Sequence, residues 1–303
     1  PNLVQTLDGN PAIIHGGPFA NIAQGTNSVI GTLMGMSHSE YTVTEAGFGF
    51  DLGAEKFFNI KCQSANISPK VVVLTTTIRA LKYHGGLSIN NLEHPDLAAL
   101  RKGLPNLEKH IENIQGFGLE PIIALNKFTT DTKEEIELIR DLAKVKDIRF
   151  SVADVWAKGG KGAIELAQHV IEAVKRCQTK FTPTYDWQMP VEEKIEQIAK
   201  QIYGAKKVDY NSTAKLQLKQ INDLGLNDLP VCIAKTQKSL SDNPKLLGRP
   251  KDFSITVREI EIASGAGFLI PITGDIMRMP GLPAHPASEG IDISDEGEIF
   301  GLF

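Results

Sequence analysis

Cysteine is scarce, three in 303 residues. Cys62, Cys177 and Cys232 are scattered, odd in number and without metal-ligand spacing, which argues against a disulfide framework or a zinc site and reads as reduced thiols acting as small buried hydrophobes. An excess of positive charge is lacking too. Lys+Arg number 32 against Asp+Glu 36, a formal charge of -4 with no long basic run, so a nucleic-acid partner has little electrostatic support. No apolar run reaches the ~20 residues of a membrane span, and no charged-then-apolar signal segment opens the chain. A soluble cytoplasmic protein is expected. The first residues, Pro1-Asn2-Leu3, include no initiator methionine, and truncation is the expected reason.

What the chain does have is a sharp change of character after residue 76. Val71-Val72-Val73-Leu74-Thr75-Thr76 is short, β-branched and uncharged, the composition of a strand buried on both faces of a parallel sheet. Arg79, His84 and the pair Gly85-Gly86 follow at once. Ligands of open α/β sheets sit beyond the carboxyl ends of strands, and paired glycines there let backbone approach a ligand closely. A core strand with an ordinary surface turn has the same composition, and this stretch alone reads equally either way.

Thr77-Ile78-Arg79-Ala80-Leu81-Lys82-Tyr83-His84-Gly85-Gly86 closely resembles a signature segment of the formate–tetrahydrofolate ligases. His15-Gly16-Gly17-Pro18-Phe19-Ala20-Asn21-Ile22-Ala23, Thr44-Glu45-Ala46-Gly47-Phe48-Gly49, Met279-Pro280-Gly281-Leu282-Pro283 and Gly301-Leu302-Phe303 also resemble segments of that family, in family order, so the resemblance spans the chain. One departure stands out. The family's phosphate-binding loop, Gly-x-x-x-x-Gly-Lys-Ser/Thr, lies upstream of everything present, and the chain resembles the C-terminal part of the enzyme.

Three segments are expected, at residues 1–105, 106–204 and 205–303. From 11 to about 105, strand-like runs at 12–15, 41–44 and 71–76 alternate with helix-like ones to about 36 and at 51–62, the pattern of a doubly wound α/β unit with parallel strands. The run at 12–15 needs neighbours in a sheet. Gly16-Gly17-Pro18, at an expected strand-to-helix junction, either offers backbone N–H groups to an anion or is a simple turn. Glu45 and Asp51 flank a glycine-rich turn with aromatics. Carboxylates there hold Mg²⁺ or orient an amine, or act as solvated caps; Asp51 reads as a cap and Glu45 as the functional member. Lys56 reads equally as a surface charge or a phosphate contact, while Phe57 and Phe58 pack inward.

The second segment reads as helix 107–117, strand 121–125, helix 132–145, strand 148–155 and helix 162–177. Phe128 and Trp156 each lie just past a strand, and Gly159-Gly160 relieves crowding beside Trp156. If the two strands are neighbours, the rings flank one crevice and sandwich a flat heterocycle; otherwise they cap the core below. Asn126-Lys127-Phe128-Thr129-Thr130-Asp131 resembles the purine-reading Asn-Lys-x-Asp motif with its aspartate displaced by two positions. In the third segment, helices at 191–203 and from Ser212 as cap to about 224 precede strands at 231–234, 256–262 and 267–273, an α+β arrangement. Residues 235–249 read as a solvated loop without catalytic features.

The resemblance implies a remainder of a P-loop-type nucleotide-binding domain, then a second α/β domain and a smaller α+β domain. It implies ATP-dependent joining of formate to tetrahydrofolate, giving 10-formyltetrahydrofolate, ADP and phosphate through formyl phosphate, with Mg²⁺ accompanying ATP and potassium or ammonium as activator. It carries Glu45 and Arg79 over as catalytic residues, and Phe128 and Trp156 as the holders of the pterin ring, although adenine fits the same stacking. His15, Gly16, Gly17, Pro18, Phe19, Gly47, Phe48 and Asn126 become walls of the nucleotide and formyl phosphate cleft; no residue is assigned to a metal. Expected partners are the small-molecule substrates, the N-terminal part of the enzyme and further copies of the chain. Met279 to Pro283 is expected to pack near the cleft. Without the phosphate-binding loop the chain is expected to be inactive alone; the alternative is a non-catalytic folate-binding or assembly module.

Overall fold

The computed structural model describes residues 1–14, 16–178, 180–276 and 285–301. His15, Arg278, the Met279 to Pro283 segment, Leu302 and Phe303 lie outside these described residues. The chain opens with an antiparallel hairpin, β1 (Asn2–Gln5) against β2 (Pro11–Ile14), closed by a turn in which Gly9 takes φ +82°. The apolar run at 12–15 therefore finds its neighbour in the residues just before it, not in a parallel sheet, because Asp8-Gly9 reverses the chain within a few residues. No helix starts at Gly16-Gly17-Pro18. α1 (Val29–His38) begins only after Ser28, whose Oγ accepts from the Gly31 N–H at 3.0 Å. The stretch 41–44 is irregular, and an isolated bridge between Thr26 and Ala46 is the β pairing near it.

Residues 50–65 form one helix, α2, widened by π-type turns at Phe50–Ala54 and Phe57–Cys62. Phe57 and Phe58 pack inward as expected, but so do Asp51, Glu55, Lys56, Asn59 and Lys61. An uncapped turn of widened helix leaves backbone and side-chain polar groups that need partners, and here neighbouring loops supply them.

The parallel sheet follows: β3 (Val71–Thr76), β4 (Glu120–Asn126) and β5 (Arg149–Ala153), in the order β3-β4-β5. Between β3 and β4 run α3 (Ile78–His84), capped by Thr77, and α4 (Leu97–Gly116), capped by Asp96. α5 (Lys133–Val145) starts with a complete capping box between Thr132 and Glu135. α6 (Val155–Lys158) and α7 (Ile164–Arg176) follow β5. Ile122, Ile123 and Leu125 are fully buried, each worth about 1.5–3 kcal/mol of burial. The boundary expected between 105 and 106 falls inside α4, and strands from either side of it share this sheet.

Gly85 serves packing. A Cβ there would lie 1.8 Å from the Ala99 carbonyl oxygen, and one at Gly103 would lie 1.8 Å from that of Leu81, so the glycines let α3 and α4 touch backbone to backbone. His84 is likewise structural, its Nδ1 accepting from the Gly248 N–H at 3.1 Å. Of the chemical groups that open the segment after β3, Arg79 alone faces the strand ends.

The rest of the chain is α8 (Val191–Gln197), continued by a π-type turn at Ile198–Tyr203 that ends on left-handed Gly204, then β6 (Lys207–Tyr210), α9 (Ser212–Asp223), β7 (Ser254–Ala263) and β8 (Phe268–Thr273). β6 and β7 pair in parallel and β7 and β8 antiparallel, a mixed sheet. Short β9 (Asp292–Ile293) and β10 (Ile299–Phe300) pair near the end. α9 is capped by Asn211 rather than Ser212, the Asn211 Oδ1 accepting from the Ala214 N–H. Val231 and Ala234 make only isolated bridges to β8. The whole is mixed α/β, and no helix among the described residues is long and apolar enough to cross a membrane.

The segment after Ala234 corrects the expectation of a solvated loop: Lys235, Thr236, Ser239, Leu240 and Ser241 are buried. Lys235 Nζ lies 2.9 Å from the Asp51 carboxylate and donates to the carbonyls of Thr236 and Ser239, so the segment wraps an ammonium. Burial alone would raise the Asp51 carboxyl, but Lys235 holds it below the usual carboxylate range. Glu55, one turn on, has only Asn59 on Oε1 and nothing on Oε2 among the described residues, and burial pushes it up to about 7.

Two outcomes follow from this interior. Lys235→Met is expected to cost about 3–5 kcal/mol in urea unfolding, because it strands the Asp51 charge. Glu55 binds a proton more tightly folded than unfolded, so stability is expected to fall as pH rises from about 4.5 to about 7. Glu55→Gln should flatten that part of the pH profile of the urea midpoint.

Candidate functional site

The expected site residues divide into two groups. At the carboxyl ends of the parallel strands, Arg79 follows β3, Asn126 ends β4 and Phe128 follows it, and Trp156 follows β5. β4, which Phe128 follows, lies between β3, which leads to Arg79, and β5, which leads to Trp156. The ladder reaches this edge, with Asn126 in register with Ala153 and the Lys127 N–H donating to the Ala153 carbonyl at 3.1 Å.

Arg79 lies over the Phe128 ring, its Cζ 4.2 Å from the centroid. Phe128 is half-buried, whereas Trp156 is 84% exposed, so the indole does not cap a core. The Phe128 N–H donates to the Asp131 carboxylate at 2.8 Å, which fixes the turn carrying the ring. Asp131 is thereby engaged on backbone, which accounts for its displaced place in the Asn-Lys-x-Asp-like stretch. Lys127 (3.3 Å) and Lys158 (3.1 Å) both pair with Asp154. Hydrogen bonds, first from Lys158 and then from Lys127, hold the Asp154 carboxyl below its ordinary range.

Gly159 and Gly160 serve a different neighbour from the one expected. A Cβ on Gly160 would come 2.9 Å from Oδ2 of Asp8, at the tip of the β1–β2 hairpin, and one on Gly162 would come 2.3 Å from the Asp154 carbonyl. These glycines admit the hairpin and tighten the loop; Trp156 needs no relief.

The second group forms a cleft of about 610 Å³. Gly17, Pro18 and Phe19 line one wall and Glu45, Gly47 and Phe48 the other, with Thr26, Asn27 and Thr44 between them. Phe19 and Phe48 stack at 6.1 Å. Phe48 takes φ +59°, a conformation that costs a bulky residue free energy and persists where its surroundings impose it. Those surroundings are the Gly47 N–H bonded to the Gly25 carbonyl at 2.8 Å and the close passage of Gly47 over Gly53 of α2. Asn126 and Arg79 are not among the cleft-lining residues, and neither is Gly16.

Two lysines build this cleft from below. Lys56 Nζ donates to the Ala20 and Ala23 carbonyls, and Lys61 Nζ donates to Asn27 Oδ1 and Thr32 Oγ1. Asn27 passes the connection across the cleft, its Nδ2 donating to Thr44 Oγ1 at 2.6 Å. Lys56 is thus neither a surface charge nor a phosphate contact: it is completely buried beneath the wall. Burial draws Lys61 down to about 8. Sequence reading misses these residues, and Glu93 beside Arg79, because a lysine or glutamate carries no local mark of the carbonyl or guanidinium it will meet.

Cys62 and Cys232 are buried thiols, which burial pushes up to about 12 and about 11; neither is a nucleophile at neutral pH. Among the described residues no group of three or more His, Cys, Asp or Glu is gathered to hold a metal ion.

A mixed α/β protein with aromatics and a cation beyond the ends of parallel strands has the layout of a small-molecule enzyme of that class. The sequence model of the family described as formate–tetrahydrofolate ligase matches residues 1–303. The chain belongs to this ligase family, whose substrates are those of one-carbon metabolism.

The cleft depends on Gly53 more than on Gly17. A Cβ at Gly53 would fall 1.9 Å from the Gly47 carbonyl oxygen, whereas one at Gly17 meets nothing within 4 Å. Gly53→Ala is expected to lose at least about 2 kcal/mol in chemical denaturation, and Gly17→Ala to stay within about 0.5 kcal/mol.

Proposed function

We propose that this chain supplies the folate platform and one reaction-cleft wall for ATP-dependent joining of formate to tetrahydrofolate, with formyl phosphate as the activated intermediate. The observation that carries the platform is Trp156, held in solvent at the end of β5, beside a strand whose own end bears Phe128. An indole so exposed gains most from a flat ligand laid on it. Family membership supports tetrahydrofolate as that ligand.

Formate's carboxylate oxygen is a poor leaving group, and transfer of a phosphoryl group from ATP turns it into phosphate. Attack by the folate N10 then forms the C–N bond and expels that phosphate. The intermediate hydrolyses if water reaches it, so walls that fit closely are required. Phe19 and Phe48 offer an apolar wall, and Glu45 at the same cleft is the carboxylate we assign to orienting the reacting amine. Arg79 supplies positive charge at the strand ends for the developing oxyanion.

Mg²⁺ would enter with the ATP phosphates, and Glu45 is a carboxylate in the cleft available to it. A Gly-x-x-x-x-Gly-Lys-Ser/Thr loop does not occur in residues 1–303. Binding of the nucleotide phosphates is therefore assigned to a polypeptide that carries one. The potassium or ammonium activator, homo-oligomerisation and a cytoplasmic location are parts of the proposal that rest on family resemblance alone.

Trp156 fluorescence in a Trp187→Phe background tests the platform. Tetrahydrofolate is expected to quench it saturably, and Phe128→Ala to weaken binding by about tenfold, the loss of one stacking face. Absence of quenching in the parent protein would overturn the platform. Formate-dependent ADP release by the 303-residue chain alone would overturn the assignment of nucleotide binding elsewhere.

A further inference from the structure

Arg79 is an arginine with much of its hydrogen-bonding capacity in reserve. Its guanidinium lies over the Phe128 ring, Cζ 4.2 Å from the centroid, and one nitrogen, Nη2, serves both Glu93 at 3.2 Å and the Thr130 hydroxyl at 3.4 Å. Nε is buried and meets no acceptor among the described residues, so the capacity open to a ligand lies at the outer guanidinium nitrogens of a side chain that is 29% exposed. The same molecule shows what a committed pair looks like: Arg249 grips Glu112 with two nitrogens, at 2.8 and 2.6 Å. Against that standard the Glu93 contact is single, and the Glu93 side chain is 63% exposed.

The backbone beside Glu93 is not loose. The carbonyl of His94 accepts from the buried Lys82 ammonium at 2.8 Å, and Lys82 pairs with buried Glu135 at 3.1 Å. Glu135 also accepts from the Asp96 N–H. An exposed carboxylate is therefore carried on an anchored segment to within one contact of a guanidinium. The other acid near Arg79, Asp131, is engaged on the Phe128 N–H, so Glu93 is the group free to leave.

We propose that Glu93 is a place-holder: it occupies the Arg79 guanidinium until an oxyanion of the substrates displaces it, and so sets the site's affinity for that oxyanion. A planar guanidinium fork held over an aromatic ring suits carboxylate and phosphate alike, and an exposed single contact costs little to break. Formate and a phosphoryl group share this chemistry. Which of them reaches Arg79 rests on the platform reading above; the place-holding itself rests on the contacts of Arg79.

The test follows the Arg79 Nε–H resonance in the ¹⁵N-labelled full chain, assigned by its loss in Arg79→Lys, while sodium phosphate or sodium formate is titrated at constant ionic strength. Glu93→Gln is expected to bind one or both anions about three- to fivefold more tightly than the parent protein, the range that an exposed ion pair controls. Glu112→Gln should leave the affinity unchanged. A response to formate alone identifies a carboxylate as the displacing group, and a response to phosphate alone a phosphoryl group; either supports the proposal. Equal affinities in Glu93→Gln and parent, or the same gain in Glu112→Gln, would overturn it. Loss of folate quenching with this series intact removes the platform reading and leaves the place-holder standing, whereas quenching with an unresponsive Glu93→Gln does the reverse.

Discussion

Lys235 carries its ammonium into the interior, meets the Asp51 carboxylate at 2.9 Å and gathers carbonyls of its own segment around the remaining hydrogens. The same device recurs through the molecule. Lys56 holds the carbonyls of Ala20 and Ala23, Lys82 that of His94, Lys109 that of Gln201, and Lys194 those of Asn227 and Leu229. An irregular segment cannot satisfy its own carbonyls as a helix or sheet does, and a buried ammonium needs three acceptors; each settles the other's deficit. At Lys56, Lys82, Lys109 and Lys194 the arrangement also fixes position, because the ammonium reaches from a helix whose place is set by packing. Irregular segments are thereby referenced to α2, α3 and α8, and the widened turn at Ile198–Tyr203 to α4.

That constraint explains why a cleft can be made almost entirely of loop. Apart from Ile13 and Ile14 at the end of β2 its lining is irregular chain, yet one wall is tied to α2 through Lys56 and the two are joined through Lys61, Asn27 and Thr44. Phe48 can then be kept in a left-handed conformation, stacked on Phe19. The strand-end group is built differently. There the parallel sheet sets the spacing of Arg79, Phe128 and Trp156, and short-range bonds such as that from Phe128 to Asp131 set orientation. One group depends on buried cations and the other on sheet register.

This difference decides what was legible in the sequence. The strands at 71–76 and 121–125, the helix capped by Thr132 and the places of Phe128 and Trp156 are written locally, in β-branched runs, caps and periodicity, and the structure has them. The hairpin was hidden because Asn2–Gln5 is short and exposed, so no apolar pattern marks it as a partner for Pro11–Ile14. Gly85 reads as permission for a ligand and proves to be permission for α4, a fact that needs the position of Ala99. The stretch 235–249 looks solvated because a lysine, serines and an asparagine are polar in composition; nothing local says that Asp51 waits inside. Residues whose role is to meet a distant partner are the ones that sequence cannot assign.

The two aromatics at the strand ends are unequal, and the inequality has a physical consequence. Phe128 has one face covered by a guanidinium and is half-buried, so part of its apolar surface is already satisfied. Trp156 is 84% exposed on a four-residue turn of helix, with glycines just beyond it that serve the hairpin and the loop rather than the ring. A large ring kept in water forgoes up to about 2–3 kcal/mol that burial would return. That free energy is available only to something that arrives later and covers the ring. In the proposed platform Phe128 is the fixed edge a ligand registers against and Trp156 the source of most of the unrealised apolar contact, and the parallel pairing of β4 and β5 puts both residues just past the ends of adjacent strands.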